Sequence, residues 1–193
     1  PLWLYYGDFD ENGQADPLIF HYMGDRLVPF ASRDDLIKQI SGIKRKHNSY
    51  QSYATQSSPT DLFPEEILAQ TSQYAVYEFR SGIYLQQADG SFVFEPFPDQ
   101  AQLSPISSIL WDKEQKSVLL GGNFSGFRVD LGTNMASAFT AFKWENETWR
   151  KTAFQHTIPA KSEIRHINKI TVNNKLLVVG VSHSGPVYWI KLD

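Results

Sequence analysis

The nine residues Asp8-Phe9-Asp10-Glu11-Asn12-Gly13-Gln14-Ala15-Asp16 constrain the fold more than any other stretch of the chain. Oxygen donors fall at every second position: the side chains of Asp8, Asp10 and Asn12, the backbone carbonyl of Gln14, then the side chain of Asp16. Gly13 stands where the chain must turn sharply to bring those oxygens to one point. Ca²⁺ takes several oxygen ligands at flexible geometry, so this spacing predicts a calcium loop. In the helix-flanked version of such a loop a bidentate Glu holds the twelfth position. Here Ile19 holds it, and Pro17 follows Asp16 directly. The flanks Leu2-Trp3-Leu4-Tyr5-Tyr6 and Leu18-Ile19-Phe20-His21-Tyr22 have strand composition. The loop is therefore expected between two antiparallel strands. A solvated turn needs only one or two Asx or Gly residues. Three carboxylates in one loop repel one another without a cation, which favours the metal.

Bulk composition narrows the function classes. The formal net charge is −3, so the electrostatic footprint of a nucleic-acid-binding protein is missing. Without cysteine there are no disulfides, no thiolate catalysis and no cysteine zinc site. No apolar run reaches transmembrane length. The chain begins at Pro1 rather than Met, which reads as a processed fragment with any targeting segment upstream. Thirteen Phe, nine Tyr and five Trp favour strands over helices.

Residues 32–71 break the strand pattern. Ser32 can cap a helix whose first turn holds Asp34 and Asp35. Leu36, Ile37, Ile40 and Ile43 recur at helical spacing, and Lys44, Arg45, Lys46 and His47 fall at its expected end, either as a dock for an acidic partner or, the favoured reading, as solvated cations. A polar stretch, Asn48 to Thr60, separates this helix from a second one at Pro64 to Gln70. The segment reads as a helical insertion in a β unit. The four apolar positions are expected to bury one helix face against that unit.

Strands resume at Tyr74–Arg80 and Ile83–Gln86, with a hairpin signal at Asp89-Gly90 before Ser91–Phe97. A second set runs through Ser104–Trp111, Ser117–Asn123, Ala138–Trp144 and Thr148–Phe154. A third runs from Ile164 to Val172, turns at Asn173-Asn174, and continues through Leu176–Gly180 and Val187–Leu192. Each set opens with an apolar strand and a tight turn. Repeats of about 40 to 50 residues made of four short strands are propeller blades.

The loop Asp8–Asp16 between strands resembles the FG-GAP/VCBS repeat of integrin-α-type β-propellers. The segments Ser32–Gln39, Ala101–Ile106, Gly121–Phe124 with Val129-Asp130-Leu131-Gly132, and Glu163–Arg165 are similar to bacterial proteins of the ASPIC/UnbV-associated kind. The resemblance implies an all-β fold: the C-terminal part of a propeller, with blades at roughly 1–98, 99–158 and 159–193. It implies an extracytoplasmic, non-catalytic binding or interaction module stabilised by Ca²⁺. Its partners would be a protein or carbohydrate ligand and the remaining blades. Only the first unit keeps the metal loop; Asp112–Lys116 is too short and basic, and Asn173-Asn174 is a plain turn. The third unit shows three strands, so its outer strand is expected from the N-terminal region of a whole propeller. Trp3, Tyr5 and Phe20, and Val187, Trp189 and Ile190, are expected to face the missing blades.

Catalysis finds no motif. Gly122–Gly126 is out of register with a nucleophile elbow, and His21, His47, His156, His166 and His183 show no metal spacing. The competing reading is a polysaccharide hydrolase or lyase whose active site lies on missing blades. Trp111, Trp144, Trp149 and Trp189 could form a sugar-stacking platform or pack as core. The glycine-rich loop Gly121–Gly126, leading to Arg128, Asp130 and Asn134, is either a functional loop or a contact between blades.

Overall fold

The computed structural model describes residues 1–129, 131–153 and 155–191. Asp130 of the glycine-rich loop, Phe154 at the end of an expected strand, and Leu192 and Asp193 lie outside the described residues. The protein is mostly β, in antiparallel sheets, and among the described residues none of them closes on itself. It divides into two compact units, Pro1–Phe79 and Arg80–Asp193.

The first unit contains strands β1 (Leu2–Gly7), β2 (Asp16–Met23), β3 (Arg26–Pro29) and β4 (Ser72–Val76), in the order β3-β2-β1-β4. Period-two alternation sets its faces. Trp3 and Tyr5 lie opposite Phe20 and Leu18, on the face covered by helices. Leu2, Leu4 and Tyr6, with Ile19, Tyr74 and Val76, share the other face. Trp3, Tyr5 and Phe20 are thus covered by the chain's own helical segment rather than left for a neighbour, and Phe20 is completely buried.

That segment folds as α1 (Arg33–Gln39), α2 (Ile43–Lys46), α3 (Tyr50–Ala54), a 3₁₀ turn (Pro59–Asp61) and α4 (Glu65–Ala69). Ser32 caps α1 as expected, its Oγ accepting from Asp35 N at 3.2 Å. The single helix expected through Ile43 is two. Ile40 is extended, and Ser41-Gly42 follows, where glycine costs about 1 kcal/mol in a helix interior. Leu36, Ile40 and Ile43 are nevertheless buried together with Leu18 and Phe20, and Ile37 packs beside them. His47 is not solvated. It is buried, with ring nitrogens 3.2 Å from Ser52 O and 3.3 Å from Asp61 O. Within the stretch expected to be merely polar, capping boxes at Ser49 and Ser58 start α3 and the 3₁₀ turn.

The second unit opens with a hairpin, β5 (Gly82–Gln86) and β6 (Phe92–Pro96). A four-stranded meander follows: β7 (Ile106–Asp112), β8 (Ser117–Gly122), β9 (Phe139–Glu145) and β10 (Thr148–Lys151). The last sheet holds β11 (Gln155–His156), β12 (Ile164–Val172), β13 (Lys175–Ser182) and β14 (Val187–Lys191), in the order β11-β14-β13-β12. Its outer strand comes from the residues just before β12, not from the N-terminal region: Gln155 pairs with Lys191 and His156 with Ile190. Asn173 and Asn174, at φ 50° and 60°, make the two-residue β12–β13 turn, which needs positive φ at both places.

Two cores hold this unit. Leu119 and Ala141 of the meander pack with Ile158, Ile164, Val178 and Ile190. On the meander's other face, Val118, Leu120, Phe142 and Trp149 pack with Phe97 and Ala101. Ile190, expected on a bare face, is fully buried, while Val187 and Trp189 are about half exposed. Among the described residues no helix is long and apolar enough to cross a membrane.

Candidate metal centre

The acidic loop lies between β1 and β2, as its flanks predict. Its own backbone folds around Asp8: Oδ1 accepts from Asn12 N at 3.0 Å and Oδ2 from Gly13 N at 2.7 Å. Asn12 Oδ1 accepts from Gln14 N at 2.8 Å. Two residues take left-handed backbone, Glu11 at φ 58° and Gly13 at φ 86°. Nothing lies within 4 Å of where a Gly13 side chain would stand, so backbone conformation, not space, calls for glycine there.

This folding brings Asp8, Asp10 and Asp16 together, one carboxylate oxygen from each lying within 4.8 Å of the others. Asn12 and Gln14 take part in the loop's internal hydrogen bonding, and an amide oxygen that accepts one bond keeps a second lone pair. Among the described residues no Lys, Arg or His forms an ion pair with the three carboxylates.

Two residues that spacing did not point to hold the loop from below. Phe9 turns inward between Asp8 and Asp10, is buried, and lies 4.6 Å from the Phe63 ring. Gln39, the last residue of α1, donates from Nε2 to Asp16 Oδ1 at 3.0 Å. Asp16 is 9% exposed, and its Oδ2 is buried with no hydrogen-bond partner. A buried carboxylate oxygen without a donor is costly unless a cation meets it. The donor set is all oxygen and highly charged, which fits Ca²⁺ better than a nitrogen- or sulfur-preferring metal. An apolar Phe inside an acid-rich loop was a readable signal. The Gln39 contact spans 23 residues and leaves no local trace.

The glycine-rich loop has a structural role. Asn123, completely buried at φ 74°, donates from Nδ2 to Ala160 O and Ser162 O, both at 2.8 Å. Its Oδ1 accepts from Ser104 Oγ and Ser137 N, both at 2.9 Å. Ser125 donates to the Glu163 carboxylate from its hydroxyl and from its N–H, and Arg165 pairs with the same carboxylate. The Ser125 hydroxyl foremost, with the nearby charges of Arg165 and His183, holds Glu163 below the usual carboxylate range despite burial. These contacts join the loop after β8 to the residue just before β12.

The tryptophans divide. Trp149 is buried, with ring centroids 4.9 Å from Trp144 and 6.2 Å from Trp111. Trp189 is on another sheet, so the four do not form one platform. Comparison with family models, with curated proteins and with solved structures finds no match to the chain.

Proposed function

We propose that this chain is a calcium-stabilised, extracytoplasmic binding module of the FG-GAP/VCBS kind, non-catalytic, with blade-like sheets that belong to a larger propeller. The observation that carries the metal reading is the buried, unpartnered Asp16 Oδ2, in a cluster where three carboxylates approach within 4.8 Å. Asp8, Asp10, Asn12 and Asp16 would hold the ion, with the Gln14 carbonyl and water completing its shell. The ion supplies positive charge to a loop that lacks it. That ties β1 to β2 and, through Asp16 and Gln39, to α1. Support for stacked blades comes from the meander β7–β10, which has apolar clusters on both faces. A lack of cysteine agrees with an extracytoplasmic setting. The partner would be a protein or carbohydrate.

A ligand present at about a hundredfold above its Kd adds about 2.7 kcal/mol to the folded state. Calcium at millimolar concentration should therefore raise the melting temperature over chelator, and Asp10→Ala should erase the difference. Magnesium, which requires near-octahedral geometry, should give a smaller rise. Identical melts in calcium and in chelator would mean that the loop is only a turn.

A further inference from the structure

An open groove of about 650 Å³ runs along the second unit, independent of the metal loop. Its aromatic wall is Trp111, Trp144 and Trp149. Ile83 and Leu85 of β5, with Ile109 and Val118, supply the aliphatic wall. Ile109 and Trp111 are two apart on β7, so alternation puts both on the groove side, and both remain about half exposed. The volume falls in the range of small-molecule sites. Among the described residues, the charged groups that line the groove are Lys113 and Lys116, from the single turn between β7 and β8. Neither lysine forms an ion pair among the described residues. Glu95 pairs with Ile83 across the hairpin but does not line the groove.

These features select one chemistry. Sugars need hydrogen-bonding groups around the stacking ring, and the aliphatic wall offers none. A purely apolar ligand would make no use of two lysines in a chain whose net charge is −3. We propose that the groove binds an amphipathic anion, an acyl chain ending in a carboxylate, with the chain along the Trp and aliphatic walls and the head group at Lys113 and Lys116. Burial of each methylene contributes about 0.8 kcal/mol, so affinity should rise about tenfold for every two methylenes added while the chain still fits.

The test is calorimetric titration of the whole protein with octanoate, decanoate and dodecanoate below their micellar concentrations. Dodecyl maltoside and dodecyltrimethylammonium serve as neutral and cationic controls. The expected result is saturable one-site binding that strengthens with chain length and is at least tenfold weaker for both controls. The double variant Lys113→Glu/Lys116→Glu should lose the preference for the anion while keeping the wild-type melt. Equal affinity for all three head groups would overturn the proposal, as would no binding at all. So would binding of an acidic oligosaccharide that dodecanoate fails to displace, since it would make the groove a sugar site. Sedimentation with acrylamide quenching covers the last occupant: a dimer that shields Trp111, and that dodecanoate does not dissociate, would assign the groove to a second copy.

Discussion

Replacing Asn123 by alanine tests whether the glycine-rich loop is the tie between the last two sheets. Asn123 makes four hydrogen bonds from a fully buried position, two to carbonyls before β12, one to Ser104 before β7 and one to Ser137 between β8 and β9. At about 1 kcal/mol net each, their loss costs roughly 4 kcal/mol. Ser137 N retains Ser104 Oγ at 3.0 Å, and the exposed Ala160 leaves water near its carbonyl, which lowers the figure to about 3 kcal/mol. Alanine at φ 74° adds about 1 kcal/mol of backbone strain. Asn123→Ala should therefore lose about 4 kcal/mol, a large fraction of the 5–15 kcal/mol typical of domains. Asn123→Gly should be less damaging by several tenths to about 1 kcal/mol, because glycine accepts the left-handed backbone. Asn123→Asp should be poor at neutral pH, where a carboxylate oxygen faces two carbonyls, and should improve on acidification as protonation restores a donor. Urea unfolding followed by tryptophan fluorescence is the assay, since four of the five tryptophans lie in the second unit. A loss below about 1 kcal/mol for Asn123→Ala would refute the reasoning.

Gln39→Ala should weaken calcium binding by about tenfold without removing a ligand, because it frees the Asp16 carboxylate to turn; titration calorimetry reads this directly. Leu36→Ala should destabilise the first unit by about 2 to 5 kcal/mol, measured by urea unfolding, since Leu36 is buried among Leu18, Phe20 and Ile40. Acid should weaken the second unit. Burial pushes the Asp112 carboxyl up, but the Lys169 ammonium at 2.9 Å and the N–H groups of Gln115 and Glu114 outweigh it, so the folded value is depressed. Glu163 is depressed as well. Their stabilisation is therefore present above the unfolded carboxylate range near pH 4 and is lost as pH falls through the folded values. Lys169→Met should shift the acid midpoint upward in a circular dichroism titration.

Local chemistry made part of this legible. The acidic loop, the Ser32 cap and the Asn173-Asn174 turn each rest on residues within a few positions of one another, and the structure has the expected strands and helix start there. The 3₁₀ turn was readable too, because Ser58-Pro59-Thr60-Asp61 has proline in the first turn and an acceptor at the third position. The α3 box was harder, since Ser52 replaces the usual Glu or Gln. Long-range pairings left no pattern. Strand β4 joins β1 across the whole helical segment, with Leu2 opposite Val76, and β11 is only two residues long. Such pairings are decided by which edge remains open after local elements form, and periodicity carries no information about that. The Gln39 to Asp16 bond belongs to the same class.

The burial of β8 bears most directly on the blade reading. Every residue of Ser117-Val118-Leu119-Leu120-Gly121-Gly122 is buried, unlike β2, whose core half alternates. A strand covered on one face shows alternation; one covered on both reads as a continuous apolar run. Val118 and Leu120 enter one cluster, and Leu119 enters the other. Gly121 marks how close the adjacent sheet comes: a Cβ there would stand 2.6 Å from Ile164 Cγ2. The meander is thus a middle layer, with a sheet on one side and Phe97 and the hairpin residue Ile83 on the other. Repeated stacking needs middle layers of this kind, because each unit buries its faces against two neighbours. The first sheet is built differently. It covers one face with its own helices and keeps Ile19, Tyr74 and Val76 exposed on the other, so it has one face to offer a neighbour where the meander uses two.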